Sequence, residues 1–298
     1  MKKIQNYLEY AIILLIRSVI DRLPWKWAQA FGKGLGYFCY YVVPIRKQVA
    51  VQNIRLVFPN KTDQEVLAIA RGAYLQFAQT LIEFIQLPRR SAAFLRKQVR
   101  FIPPNFLDRA QRAPYGAICL SGHFGNWELM GAAITDCGIP LCGVAKEQRN
   151  PFVDQLIAKS RAKRNIQTYA LGISVRGILK SLQEKKFVAI LGDQDAHREG
   201  VFINFLGQPS ATAKGPASLA LKTGAPLIFG AAVRETDGTH SIYLEEIPHS
   251  DLNGMTDENI STLTQRHAAV LEKYIRQYPD HWFWMHRRWK TKPHAPPV

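Results

Sequence analysis

Apolar residues recur at helical spacing after Thr62. Val66, Ile69, Ala70, Ala73, Tyr74, Phe77, Leu81 and Phe84 mark one face of a 3.6-residue period. Thr62 and Glu65 form a T-x-x-E capping box at its start, and Pro88 is placed to end it. From Tyr115 onward the pattern changes to short apolar runs alternating with helical stretches. Ala117–Ser121, Ile139–Ala145, Phe187–Leu191, Leu227–Val233 and Ser241–Glu246 read as strands. Helices are predicted over about Asn126–Asp136, with Gly138 to close it, and over Phe152–Arg164, Thr212–Thr223 and Asp257–Gln277. This alternation predicts an α/β fold with a mostly parallel sheet covered by helices on both faces. In such sheets functional groups collect at the carboxyl ends of strands, and His123 and Asp193 both fall just past such ends.

The first 57 residues read differently, as a helical segment facing a membrane, and residues 58–298 as the main domain. The run Tyr10–Ile16 is apolar, but Glu9, Arg17 and Asp21-Arg22 interrupt it. That falls short of the roughly 20 apolar residues that span a bilayer. No small-residue cleavage site follows, which argues against a secretory signal peptide. A short or tilted anchor, an amphipathic helix in the interface and a core helix all remain open. Trp25, Trp27, Phe31, Tyr37, Phe38, Tyr40 and Tyr41 follow among Lys and Arg, a mixture that favours a lipid interface.

Charge sharpens this picture. The chain of 298 residues carries 39 Lys and Arg against 23 Asp and Glu, a formal excess of +16, which points to an anionic partner or surface. A hydrophobic content of 47% supports a real core. Cys39, Cys119, Cys137 and Cys142 form neither a zinc pattern nor a disulfide framework, so reduced thiols are expected.

The segment Ser121-Gly122-His123-Phe124-Gly125-Asn126-Trp127-Glu128 carries the most chemistry. On a regular helix His123 and Glu128 would stand about 140° apart. Gly122 and Gly125 permit a turn that could bring them together instead. A carboxylate on one imidazole nitrogen would fix the tautomer and leave the other as a base. Backbone N–H groups at Gly125 and Asn126 could serve a developing oxyanion. Taken alone, an H-x4-E pair is more often a structural histidine and a charge at a helix N-terminus. G-x-S-x-G and H-E-x-x-H are both absent, so neither a serine nucleophile nor a zinc site is suggested, and no metal or organic cofactor is expected.

The run SGHFGNWE resembles the catalytic block of the bacterial lipid A biosynthesis acyltransferases, within the wider H-x4-D/E glycerolipid acyltransferases. Asn150-Pro151 with Arg161, then Gly192-Asp193-Gln194, then FLGQPSATAKGPASLALKTGAP, are similar to the family's later blocks, and Trp284–Lys290 resembles its C-terminal W-x-H-R-R-[WF]-K signature. The order is kept over about residues 20–292. The resemblance implies transfer of a fatty acyl chain to a hydroxyl of a lipid A precursor, with His123 as general base and Glu128 orienting it. Acyl carrier protein is the implied donor, and the cytoplasmic face of a bacterial inner membrane the implied location. Arg161 would stabilise the oxyanion or hold acceptor phosphate; by itself it reads as one charge on a solvated helix face. Gly125, Asn126, Lys146, Arg149, Asp193, Arg287 and Arg288 are the implied substrate-binding residues, and Asn204 and Thr212 are weaker candidates. Lys146 stands where the family often has Arg. Asp193 could position substrate, brace the Arg161 region or only cap a turn.

The end of the chain interleaves Trp282, Phe283, Trp284 and Trp289 with His286, Arg287, Arg288, Lys290 and Lys292. Such a stretch could stack on nucleic acid, meet lipid phosphates or pack on the sheet. No nucleic-acid-binding signature accompanies it, so none is expected as a partner. The rival readings are an acyltransferase of the same fold using acyl-CoA on another lysophospholipid or glycolipid, and a non-catalytic basic membrane- or nucleic-acid-binding protein.

Overall fold

The structure, a computed structural model, describes residues 2–107, 116–170 and 175–293. Tyr115 and nearly all of the Pro293–Val298 ending lie outside the described residues. Four helices come first: α1 (Lys2–Ile20), α2 (Trp25–Tyr41), α3 (Lys47–Val57) and α4 (Asp63–Gln86). The capping box at α4 forms as the sequence predicts. Thr62 Oγ1 accepts from the Glu65 backbone N–H, and Glu65 accepts from the Thr62 backbone N–H. α2 and α4 pack almost backbone to backbone. A Cβ on Gly32 would lie 2.8 Å from the Gln79 Cα, and one on Gly36 2.7 Å from the Leu75 Cα.

After the short α5 (Ala92–Gln98), nine strands alternate with further helices among the described residues. The strands are β1 (Val99–Ile102), β2 (Ile118–Ser121), β3 (Leu141–Ala145), β4 (Ile166–Ala170), β5 (Phe187–Leu191), β6 (Val201–Phe205), β7 (Gln208–Thr212), β8 (Leu227–Arg234) and β9 (His240–Glu246). The helices are α6 (Trp127–Asp136), α7 (Pro151–Ala162), α8 (Val175–Gln183), α9 (Gly215–Thr223) and α10 (Asp257–Gln277). Seven strands form one sheet in the order β1-β9-β8-β2-β5-β3-β4. Every pair in it is parallel except β8 with β9. β6 and β7 form a separate antiparallel hairpin. The expected mostly parallel α/β sheet is therefore present.

Both faces of the sheet are buried, and β8 shows why its sequence is almost continuously apolar. Leu227, Phe229, Ala231 and Val233 point into a core shared with Leu263, Leu271 and Ile275 of α10. Ile228 and Ala232 point into the opposite core, with Met130, Ala133 and Ile134 of α6. The C-terminal tryptophans belong to the first of these cores. Trp282, Trp284 and Trp289 are buried there, so packing accounts for the aromatic part of that segment.

No described helix is long and apolar enough to cross a membrane. α1 nevertheless leaves Ile4, Leu8, Ile12, Leu15 and Val19 exposed, and α2 does the same with Trp27, Phe31 and Phe38. α1 is tied to α7, where Tyr7 and Tyr10 meet Phe152 at ring distances of 4.4 and 5.7 Å, and to α4, where Gln86 donates to the Ile20 carbonyl. Asn150 reinforces the α7 contact by donating to the Asn6 carbonyl while its own Oδ1 caps α7.

Candidate active site

β2 and β5 are parallel neighbours, with Ser121 in register with Leu191. His123 lies two residues beyond the first and Asp193 two beyond the second, so strand pairing alone sets them side by side. His123 Nδ1 lies 2.8 Å from Asp193 Oδ1. Asp193 Oδ2 accepts from the His123 backbone N–H and from Trp282 Nε1, both at 2.8 Å. Asp193 is buried, and three donors converge on it. Burial opposes its charge, but His123 and Trp282 outweigh that and hold its pKa down to about 2. Burial likewise works against a charged His123 ring. The neighbouring Asp193 and the nearby Glu128 more than offset it, so the imidazole is more basic than usual.

This corrects the expectation that Glu128 orients His123. Glu128 instead grips Arg161, with Nη2 to Oε1 at 2.5 Å and Nε to Oε2 at 3.2 Å. Both side chains are mostly buried, so the pair is a fixed fork and not a solvated helix charge. Glu128 acts on His123 as a nearby charge without bonding to it. Its place in the first turn of α6 points it toward α7, where Arg161 lies.

The turn that aims His123 is built from three directions. Gly125 has φ +56°, and a Cβ there would fall 1.6 Å from the Ala232 carbonyl oxygen, so only glycine fits. Its N–H donates to the His281 carbonyl, and its carbonyl accepts from Thr80 Oγ1. The Asn126 N–H donates to the Ala232 carbonyl, and the Phe283 N–H to the His123 carbonyl. The expectation that the Gly125 and Asn126 N–H groups serve an oxyanion is therefore not met, since both are spent on the fold. Nor does Asn126 face substrate. It is fully buried, caps α6 through Leu129 N–H, and donates to Glu83. Glu83, also fully buried, is neutralised by a bidentate pairing with Arg234 and accepts from Gln29 as well.

The remaining expected residues divide by exposure. Lys146 and Arg149 follow the end of β3 on an exposed rim, where Arg149 lies 4.0 Å from Glu9 of α1. Arg287 is exposed. Arg288 is 1% exposed, and its guanidinium donates to the Ala211 carbonyl and to Thr212 Oγ1. The expectation that Arg288 binds substrate is corrected accordingly: a buried side chain in the core cannot reach a lipid phosphate. Thr212 is engaged with it, and Asn204 pairs through its backbone with Gln265 on α10. An open cleft of about 510 Å³ between the β6–β7 hairpin and α10 is lined by Phe202, Asn204, Pro209, Thr262, Gln265 and Arg266, and of the expected residues it holds Asn204 alone.

Around His123 the walls are aromatic. Trp127 meets the ring edge-on at 5.2 Å, and Phe283 lies at 6.2 Å. Phe283 in turn contacts Phe77 of α4 at 4.5 Å. Phe77, Leu81 and Phe84 follow the i, i+4, i+7 spacing of one helical face, and Leu81 is exposed. Arg161 lies over the Phe84 ring at 6.0 Å. A basic imidazole, an ion pair and an apolar strip thus share one end of the sheet.

The whole chain carries the signature of one family. The profile described as Bacterial lipid A biosynthesis acyltransferase matches residues 1–291, and the chain belongs to that family. It is an acyltransferase. Among its relatives, the lipid A biosynthesis lauroyltransferase of Escherichia coli K12 is 26% identical over 285 residues, covering 94% of this chain and 90% of that protein. The lipid A biosynthesis palmitoleoyltransferase of the same organism is 25% identical over 278 residues, covering 90% and 89%. A phosphatidylinositol mannoside acyltransferase of Mycolicibacterium smegmatis is 24% identical over 225 residues, covering 74% and 72%.

Proposed function

We propose that the protein transfers a fatty acyl chain from the thioester of acyl carrier protein to a hydroxyl of a lipid A precursor, with His123 as general base and Asp193 as its partner. The observation that carries this reading is the 2.8 Å contact of His123 Nδ1 with Asp193 in a chain of this family. With Nδ1–H donated to the carboxylate, Nε2 keeps its lone pair. Nε2 takes the acceptor hydroxyl proton as its oxygen forms the new C–O bond to the thioester carbonyl. The C–S bond then breaks, and the leaving thiolate receives that proton from Nε2. General-base catalysis of this kind contributes about 10²–10⁴-fold. Arg161 commits Nε–H and one Nη2–H to Glu128, which leaves Nη1 and the second Nη2–H as donors for the oxyanion.

The apolar strip of Phe77, Leu81 and Phe84 is where the acyl chain lies, next to His123. Lys146 and Arg149 on the rim, with exposed Arg287, meet the anionic headgroup of the acceptor. The exposed apolar faces of α1 and α2 rest in the lipid interface of the inner membrane, on its cytoplasmic side, where an acidic carrier protein and an anionic glycolipid both suit the +16 charge. The mannoside acyltransferase relative favours one second reading, a glycolipid acceptor of another kind.

Purified protein in mixed micelles, given acyl carrier protein or coenzyme A thioesters with a lipid A precursor, tests the proposal by mass spectrometry. The precursor gains one acyl chain with the carrier-protein donor. No product from that acceptor with either donor would move the assignment to the second reading.

A further inference from the structure

A cavity of about 10 Å³ lies behind Asp193, lined by Asp193, Arg288 and His267 together with Ser121, Phe205 and Leu271 among others. That is about the space one water needs. Two buried nitrogens on its wall, Arg288 Nε and His267 Nε2, have no hydrogen-bond partner among the described residues. Such groups cost free energy unless satisfied. Asp193 Oδ1 accepts from His123 Nδ1 and retains capacity for a further donor.

Arg288 is a strange residue to find there. Its guanidinium is fixed by the Ala211 carbonyl and Thr212 Oγ1 and lies 5.0 Å from the Phe205 ring centroid, in surroundings that penalise a charge. Burial lowers its pKa to about 10, while Asp193 and Asp195 act in the opposite direction, so it stays charged at neutral pH. Its counter-anions are thus the carboxylate that holds His123 and that carboxylate's near neighbour. We propose that Arg288 is a positioning residue whose buried guanidinium, linked to Asp193 through one water in this cavity, fixes the carboxylate on His123 and balances its charge. This rests on the reading of His123 as the base, and it gives the buried arginine a role that the surface reading of the C-terminal signature does not.

The physical consequence is a compromise. An unbalanced Asp193 would hold a proton on His123 and leave less free base at neutral pH. The charged and titratable groups around the ring are Asp193 after β5, Glu128 on α6 and His286 of the C-terminal segment; Arg161 on α7 is paired with Glu128, and Arg288 acts on Asp193, Asp195 and His286. Arg288 is the cation on the Asp193 side of this set.

Full-length protein labelled with ¹⁵N-histidine tests it, the His123 signals being assigned by their loss in His123→Gln. Arg288→Met raises the His123 titration midpoint by about half a unit or more, the scale of one charge removed from a partly shielded neighbour. The acid limb of kcat/KM moves to higher pH by the same amount, and Arg288→Lys returns both toward wild type. A folded Arg288→Met with an unmoved midpoint, or a lysine variant that behaves like methionine, overturns the proposal. Should Arg288→Met fail to fold, a high-resolution crystal structure of the wild type decides: an ordered water between Arg288 Nε and Asp193 supports it, and a dry cavity overturns it. The titration needs no substrate, so it stands apart from the assignment of His123 as base, which falls if His123→Ala keeps its turnover.

Discussion

Asp193→Asn is the sharpest perturbation of the site, because its effect follows from counting donors. Three N–H groups point at the carboxylate: His123 Nδ1–H, the His123 backbone and Trp282 Nε1–H. Two of them share Oδ2, so an asparagine keeps most bonds by placing its single oxygen there. Its NH₂ then faces His123 Nδ1, which must accept, and the ring proton moves to Nε2. The base is left in the wrong tautomer with its geometry intact. Loss of a correctly oriented histidine in this way costs about 10²–10⁴ in kcat, or roughly 3–5 kcal/mol of transition-state stabilisation. KM changes little, because Asp193 is buried away from substrate. The pH dependence shifts too. In the wild type the base is lost as pH falls through a midpoint above the ordinary histidine value, since Asp193 raises the His123 pKa. Without the carboxylate, burial of the ring dominates and the residual acid limb moves to lower pH. Steady-state acyl transfer from pH 5 to 9, with a thermal melt to confirm folding, checks both. Turnover within about threefold of wild type, with an unmoved limb, would refute the assignment.

Breaking the Glu128–Arg161 fork should separate stability from chemistry. Arg161→Ala leaves a mostly buried carboxylate unpaired, costing about 1–3 kcal/mol after allowance for partial exposure, measured by urea denaturation. Arg161→Lys keeps the charge and regains most of that stability, yet stays at least about tenfold slow in kcat because the planar fork is gone. Gly125→Ala cannot be absorbed, since its Cβ would strike the Ala232 carbonyl in a left-handed backbone; a loss of about 3 kcal/mol or more, or insoluble expression, is expected in solubility and melting assays. Replacing Trp27, Phe31 and Phe38 together by Ser should weaken binding to anionic vesicles at least about 100-fold while leaving the His123 titration unchanged.

Strand patterns that were strongly apolar were legible in the sequence. Phe187–Leu191 and Asp257–Gln277 form with the predicted bounds, and the Thr62 box starts α4 as read. Edge strand β4 is not legible in the sequence because Ile166–Ala170 mixes Gln and Thr into a half-exposed surface. The β6–β7 hairpin is hidden in the sequence because its turn is Leu206-Gly207, both at positive φ, where Asn-Gly would announce itself. The pattern places Asp193 past a strand end but does not show its partner. Seventy positions separate it from His123, and only the order of β2 and β5 in the sheet makes them neighbours. Nearness in sequence favours Glu128, yet helix geometry turns it toward Arg161. Arg287 and Arg288 look equivalent as text. The fold exposes one and buries the other, a distinction set by which side of the segment packs between β7 and α10.

The most direct measurement is single-turnover acyl transfer by His123→Ala beside wild type, with vesicle binding measured on the same preparations. The imidazole held by Asp193 predicts a rate at least about 100-fold lower with membrane binding unchanged. A mutant that transfers its acyl chain as fast as the wild type would contradict it.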